Sequence, residues 1–541
     1  MLLHLFLLSL RSNRPPAARV TVAVQPVVQP TAHPALQPGT SLKSASADTA
    51  TVSHASLAGT NAKARVQREA CTAVMRVFGA KQGDGTDGPP HEPGNDDAGG
   101  GAAATRATVV LPSGAGKTVF SLRVAEALRS RLTLVLVPSI DLVSQSYLEW
   151  ERWRQLSGPL DGWRPLAVVS SCAVPIERLP RTTCNETIAE FLRSTRTAPC
   201  VIFCTYHSAG RVAEALRVSG GGGGVQAVDL LCCDEAHRCT GRPSKRDAQP
   251  LRDDFIRASR RLFLTATPKL IGAARDAEGE LVSAGSMDDE ALFGRVAYRL
   301  GYSEAVRSGV VAPLKLVFLN VSEAYARLVA AAPWKAIAVT NATAAQRQLV
   351  ELSAAMLDCR DRYGARTAFV FCSTNARAAA LEKVASATLA SRGITLSRVS
   401  GTMDTQRRLA ALEPVRRAVM MPTEGATTGG AATDDMASVD SVVIDSTAND
   451  VAITPSMSIV TNCRVLGEGV DLPAVDLVVF ADAKHSHVDI LQCMGRASRL
   501  APNKEFGHVL VPVAEVGDED GARTPRWPYC RLGCARVRRD G

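Results

Sequence analysis

The sequence predicts an α/β protein built from two tandem parallel-sheet halves. Three observations carry that prediction. Short apolar strands alternate with helical stretches twice along the 541 residues, first over about 108–264 and again over about 316–511. Polar motifs follow the C-terminal ends of those strands, where an open parallel sheet places its ligands. A glycine-containing turn, LPSGAGKT at 111–118, joins the first strand to the first helix.

Size and composition set the limits. A chain of 541 residues is long enough for two to four domains with real cores. Hydrophobic residues make up 46% and charged ones 21%, which is a globular balance. The net charge of +9 is compatible with a polyanionic partner and does not establish one. Cys172, Cys200, Cys204, Cys232, Cys233, Cys372 and Cys463 lie in apolar strands, as small buried hydrophobes of a reducing compartment do. Cys530 and Cys534 form a single CxxxC pair without the second pair that a zinc site needs.

The leader, residues 1–60, is set apart by composition. Its apolar start, 1–10, is too short to span a bilayer, and no transmembrane segment is expected. Arg11, Arg14, Arg19 and Lys43 precede the first acid, Asp48, among many Ser, Thr, Ala and Pro residues. That pattern suits a disordered transit peptide for an organelle, mitochondrion or plastid. A leader without an address would leave the chain in nucleus or cytoplasm.

Residues 64–78 have a helical period and include Gln67. Residues 80–104, rich in Gly, Asp, Pro and Ala, read as a disordered insertion. Then comes the strand at 108–111 and the turn. Gly114 and Gly116, with Ala115 between them, let the backbone curl its N–H groups around a phosphate chain. Lys117 would reach the terminal phosphates, Thr118 would hold Mg²⁺, and the helix from 118 adds its N-terminal partial charge. The strict motif opens on glycine, and here that position is Leu111.

Further strands are expected at 132–137, 166–169, 201–204, 228–233 and 261–264. They run into Pro138-Ser139, Thr205, DEAH at 234–237 and TATP at 265–268. Glycines 220–224 read as a flexible loop. The second half has strands at 316–319, 368–372, 396–399, 458–461, 475–480 and 508–511. Residues 413–457 lack both period and aromatic bulk and read as a surface insertion. The domains predicted are therefore 61–305 and 306–515, with a basic tail at 516–541.

In chain order the motifs are PSGAGKT, VPSIDLVSQ, FCTYHS, DEAH, TATP, FVFCSTNARA, SGTM, NCRVLGEGVDLP and QCMGRASR. Over roughly residues 64–515 this series resembles a superfamily-2 helicase of the DEAH type. The TATP and VLGEGVDLP forms look most like the branch of restriction-enzyme motor subunits and related DNA translocases. The resemblance implies two RecA-like domains with ATP in the cleft between them and nucleic acid across both.

On that resemblance Asp234 would hold Mg²⁺, and Glu235 would orient and deprotonate the attacking water. His237 would couple the metal site to the second domain, and Thr265 and Thr267 would link hydrolysis to strand movement. Arg496 and Arg499 would be fingers on the transferring phosphoryl group, with Gln492 on the same helix face and Gly467, Glu468 and Asp471 in the matching loop. Gln67 would read adenine, although the residues before it depart from the family pattern. Pro138, Ser139, Thr205, Ser373, Thr374, Gly401, Thr402 and Asn462 would meet phosphate and sugar. Arginines around Trp527 and Tyr529 form either a strand-gripping tail or a solvated one. DNA is the partner expected over RNA. An RNA-dependent ATPase and a non-catalytic nucleic-acid-binding protein are the alternatives.

Overall fold

The structure is a computed structural model. It describes residues 21–23, 51–79, 104–154, 158–169, 178–220, 227–271, 274–275, 281–282, 285–320, 343–389, 393–420, 457–463, 465–466, 475–482, 484, 486–501, 504–517 and 523–526.

The chain begins with β1 (Thr21–Ala23) and the long helix α1 (Thr51–Val77). There follow β2 (Arg106–Val110), α2 (Lys117–Ala127), β3 (Leu132–Val137), α3 (Ile140–Trp153), β4 (Arg164–Val168), β5 (Arg181–Thr182) and α4 (Asn185–Arg193). Next come β6 (Cys200–Thr205), α5 (Ala209–Gly220), β7 (Val228–Cys233), β8 (Ala258–Thr265) and a small ribbon of β9 (Ala274–Arg275) with β10 (Leu281–Val282). The short helix α6 (Glu290–Phe293), β11 (Arg295–Arg299) and α7 (Tyr302–Arg307) complete the first half.

The second half runs β12 (Leu314–Asn320), α8 (Ala344–Tyr363), β13 (Thr367–Phe371), α9 (Asn375–Leu389), β14 (Ile394–Val399) and α10 (Thr405–Met420). It ends with β15 (Met457–Asn462), β16 (Leu477–Phe480), α11 (His487–Ala497), β17 (Gly507–Gly517) and β18 (Arg523–Arg526).

Each half is an α/β layer structure. The first sheet has the order β11-β2-β8-β7-β3-β6-β4-β5, and every pairing in it is parallel. The second has the order β1-β12-β17-β16-β13-β15-β14, parallel from β12 to β14, with short antiparallel additions by β1 on β12 and β18 on β17.

The apolar strands follow from burial on both faces. Alternate residues of a strand point to opposite sides, so a sheet covered twice needs bulk at every position. In β3, Val135 and Val137 enter one core while Leu132, Leu134 and Leu136 enter the other. In β13, Ala368 and Val370 face one layer, and Phe369 and Phe371 face the opposite one. Beside the first of these cores, Tyr147, Trp150, Trp163 and Phe203 pack as a ring cluster under α3. Fully buried Trp150 donates its Nε1–H to Thr118 O at 3.0 Å, which ties α3 to the glycine turn.

Several expected boundaries move. The leader is not structureless throughout: α1 starts at Thr51, and β1 pairs with β12. The first half reaches past 305, because Ala305, Val310 and Val311 pack in its core. Residues 413–420 belong to α10 and not to the insertion, since Val415 is buried beside Leu412. Part of the basic tail pairs as β18. The edge strand β11, sequence RVAYR, had no apolar run to announce it and is held by pairing with β2. Residues 80–103, 221–226 and 421–456 lie outside the described residues, as do Trp527 and Tyr529.

Candidate active site

The glycine turn spans the end of β2 and the start of α2. Gly116 caps α2 in a left-handed conformation, φ 86°, which side chains other than glycine rarely adopt. Gln67, buried on α1, donates its Nε2–H to Gly116 O at 3.2 Å. A Cβ on Gly116 would lie 2.5 Å from that nitrogen, so glycine is required there for space as well as for φ.

Lys117 and the DEAH turn meet below this loop. Lys117 Nζ is 3.5 Å from Glu235 Oε1, with the two side chains 10% and 15% exposed. Glu235 sits at φ 48° and ψ 48°, a left-handed conformation that costs a non-glycine residue on the order of 1–3 kcal/mol. That turn brings its carboxylate back toward α2. Tyr206 supports the turn from β6, its hydroxyl donating to Asp234 O at 2.7 Å. Asp234 Oδ1 accepts the Glu235 N–H at 2.9 Å.

The adjacent carboxylates divide in character. Burial raises Asp234 above the usual carboxylate range, and the neighbouring Glu235 charge raises it further. Burial pushes Glu235 the same way, but Lys117, His237 and Arg496 outweigh it and hold Glu235 low. The donors offered by Thr118 and Asp234 are hard oxygens, which fit Mg²⁺, and a cation beside Asp234 would relieve the repulsion that raises it. Among the described residues there is no group of three or more His, Cys, Asp or Glu side chains able to hold a metal. A divalent ion here would therefore take most of its ligands from phosphate and water.

From Glu235 a chain of contacts leads out of the first half. His237 Nδ1 lies 3.4 Å from Glu235 Oε2 and 3.1 Å from Thr265 Oγ1. Thr265 Oγ1 also accepts the Thr267 N–H at 3.1 Å, so the TATP turn closes on the DEAH turn. On the other ring nitrogen, Gln492 Nε2 of α11 approaches His237 Nε2 at 3.4 Å. His237 thus lies between the Glu235 carboxylate and Thr265 on one ring nitrogen and the Gln492 amide on the other.

The halves are in direct contact at this point. A Cβ on Gly495 of α11 would fall 2.6 Å from Ser113 Cβ, so α11 touches the glycine turn only because it carries glycine there. Arg499 also borders the turn: a Cβ on Gly114 would meet its Cγ at 3.5 Å. Arg496 is buried. Ala312 N donates to Ser498 O at 2.8 Å, and Arg408 Nη1 pairs with Asp141 Oδ2 at 2.6 Å across the halves.

The expected nucleic-acid residues divide. Ser373, Thr374, Gly401 and Thr402 are exposed at strand ends of the second half. Ser373 N donates to Asp482 Oδ2 at 2.7 Å, and Thr374 Oγ1 accepts Arg377 N at 3.1 Å. Pro138 and Ser139 are half-buried at the start of α3, where Ser139 Oγ accepts Leu142 N at 3.3 Å. Two of these residues sit deeper than the others. Asn462 is fully buried and donates to Val370 O at 3.0 Å while accepting Leu466 N at 3.2 Å, so its side chain is committed to the fold. Thr205 is buried as well, and its hydroxyl donates to Ser208 Oγ at 3.2 Å. Gly467, Glu468 and Asp471 lie outside the described residues.

Sequence reasoning missed Tyr206, Asp482 and the Asp141–Arg408 pair. Tyr206 sat inside a motif already singled out, and a buried tyrosine hydroxyl needs a partner. A pair 267 residues apart leaves no comparable sign in one sequence.

Residues 63–270 match the family described as "Type III restriction enzyme, res subunit", and residues 441–501 match "Helicase conserved C-terminal domain". A probable helicase of African swine fever virus, from a Kenyan pig isolate, is 24% identical over 296 residues, 55% of this chain and 27% of the viral protein. The same protein from a Malawian tick isolate matches with the same identity and coverage. The chain thus spans about a quarter of the length of these relatives. Among solved structures, "ATP-dependent Type ISP restriction-modification enzyme LlaBIII bound to DNA" superposes with a TM-score of 0.56 at 22% identity. That match covers 83% of this chain and 27% of the other, and it establishes a shared fold.

Proposed function

We propose that this chain is an ATP-dependent DNA helicase or translocase of superfamily 2, related to the motor subunits of restriction enzymes, a reading supported by the family matches over residues 63–270 and 441–501. The observation that carries the proposal is the unbroken path Lys117–Glu235–His237–Gln492, which joins the glycine turn of one half to α11 of the other. Hydrolysis at such a path is felt by both halves at once.

In this reading the turn around Gly114, Ala115 and Gly116 cradles the phosphates, and Lys117 leaves Glu235 for the terminal phosphoryl group. Thr118 and Asp234 would hold Mg²⁺, which would supply neutralisation of developing charge. Glu235, held as carboxylate, orients the attacking water. Arg496 and Arg499 act on the transferring group when the halves are closed, and Gln67 positions the base. Nucleic acid lies along Pro138, Ser139, Ser373, Thr374, Gly401 and Thr402, gripped by its backbone.

DNA is preferred as the polymer because the restriction enzyme of the same fold was solved with DNA. The test is phosphate release with single-stranded DNA, duplex DNA and RNA side by side. Stimulation by DNA is expected. Stimulation by RNA alone would reassign the polymer, and no ATP turnover under any condition would overturn the reading.

The leader is proposed to direct the chain to an organelle, on composition alone. Residues 1–47 fused to a fluorescent reporter should concentrate it there. A reporter left diffuse in the cytosol would refute that address.

A further inference from the structure

Two cysteines end neighbouring strands of the second sheet in matching register. Phe371 of β13 pairs with Asn462 of β15, and the ladder continues one step further, with Cys372 N donating to Asn462 O at 2.8 Å. Cys372 and Cys463 are therefore the next register partners. Adjacent strands lie about 4.8 Å apart, and a disulfide accepts Cα separations of roughly 4.4–6.8 Å. Cys463 Sγ already reaches across, 3.2 Å from Ser373 O. Both thiols are free.

Their environments differ in a useful way. Cys463 is half-exposed, whereas Cys372 is buried. Burial, and then the Asp482 carboxylate, pushes the Cys372 thiol up to about 12, and Cys463 is close enough to act on it electrostatically. Cys463 is thus the sulfur that solvent oxidants reach first, and Cys372 the one that waits behind it.

We propose that Cys372 and Cys463 form a reversible disulfide under peroxide, and that this bond switches off DNA-stimulated turnover. Bond formation stands on the strand register alone; the loss of turnover rests on the function proposed above. In the first step Cys463 sulfur attacks one oxygen of hydrogen peroxide, the O–O bond breaks, and Cys463 sulfenic acid and water result. In the second, Cys372 sulfur attacks the Cys463 sulfur, the S–O bond breaks, and the Cys372 proton leaves with the oxygen as a second water. Two thiols lose two electrons and one peroxide gains them. A dithiol reductant reverses the change by exchange.

The position of the bond explains its effect. Ser373 and Thr374 follow Cys372 directly, and Asn462 holds Leu466 N just beyond Cys463. Bridging the sulfurs removes the Cys463 contact with Ser373 O and fixes both strand ends together. Displacing a strand-gripping loop by about 1 Å can cost ~100-fold in rate, so a loss of about tenfold or more is expected.

The experiment treats the purified full chain with hydrogen peroxide. It maps peptides without reduction and follows phosphate release with and without single-stranded DNA. The expected result is a peptide joining Cys372 to Cys463 together with loss of DNA stimulation, both reversed by dithiothreitol. Cys463→Ser and Cys372→Ala should each keep DNA-stimulated turnover through peroxide. Oxidation of exposed Cys184 without the joined peptide would overturn the bond. A joined peptide with unchanged DNA stimulation would overturn the switch. A reduced chain that hydrolyses no ATP would instead strike the functional reading, and the switch with it, while the peptide map still decides whether the bond forms.

Discussion

Lys117 and Glu235 hold opposite charges 3.5 Å apart in a pocket that largely excludes water, so each matters to the other's state. Lys117→Ala is expected to lower ATP turnover by ~10²-fold or more, as loss of a fixed charge at a developing anion does. Glu235→Gln should retain nucleotide binding and lose hydrolysis, measured as phosphate release beside nucleotide affinity. A Gln variant turning over near the parent rate would remove Glu235 from the chemistry. Gly495→Ala tests the contact between halves with one methyl group. Its Cβ would meet Ser113 Cβ at 2.6 Å, so the halves must part, and turnover should fall about tenfold to ~100-fold while binding of ATP by the first half persists. These two sites differ in how far they could be read in advance. Lys117 and Glu235 are announced by neighbours in sequence: a strand before, a helix after, glycines between. The burial of Asn462, by contrast, has no sign in its motif, where it stands among polar residues. One sequence does not state which polar residues at strand ends are buried.

The elements were legible where their patterns are strong. Runs such as LTLVLV and CVIFCT admit few readings once both faces of a sheet must be filled, and β3 and β6 lie where those runs do. β11 was illegible because an edge strand with three charged or polar positions of five resembles a loop. Want of period and aromatic bulk places the start of the insertion at 413, yet Pro414 sits inside α10 and Val415 is buried after it. The correction changes an experiment. If the sequence expectation of an insertion holds, removing residues 421–456 with a short Gly-Ser link should leave thermal stability and ATPase close to the parent, since changes in loop length cost only about 0.6 kcal/mol per doubling. A deletion beginning at 413 should destabilise the second half by about 1.5–3 kcal/mol from Val415 alone. Equal melting of the two deletions would mean that α10 ends before Val415.

For the whole molecule the issue is what two halves do that one cannot. Lys117 and Glu235 belong to the first half and Arg496 and Arg499 to the second, joined through His237 and Gln492. On the proposed finger role, Arg496→Ala and Arg499→Ala should leave ATP affinity nearly intact and remove most hydrolysis, because such a group acts on the transition state. DNA should raise turnover in the parent and barely in these variants, and that stimulation should weaken with salt. The measurement is ATPase rate against DNA concentration at two ionic strengths. An arginine variant stimulated as strongly as the parent would place the engine elsewhere.

The strand order of the second sheet also has a consequence in time. β12 pairs with β17, Leu314 lying beside Gly507. A ribosome adds about 5–20 residues per second, so β12 waits on the order of ten to forty seconds for its inner neighbour to be made. Until then its apolar strand edge is open to the wrong partner, and a nascent chain stopped short of β17 should bind chaperones that the finished chain releases.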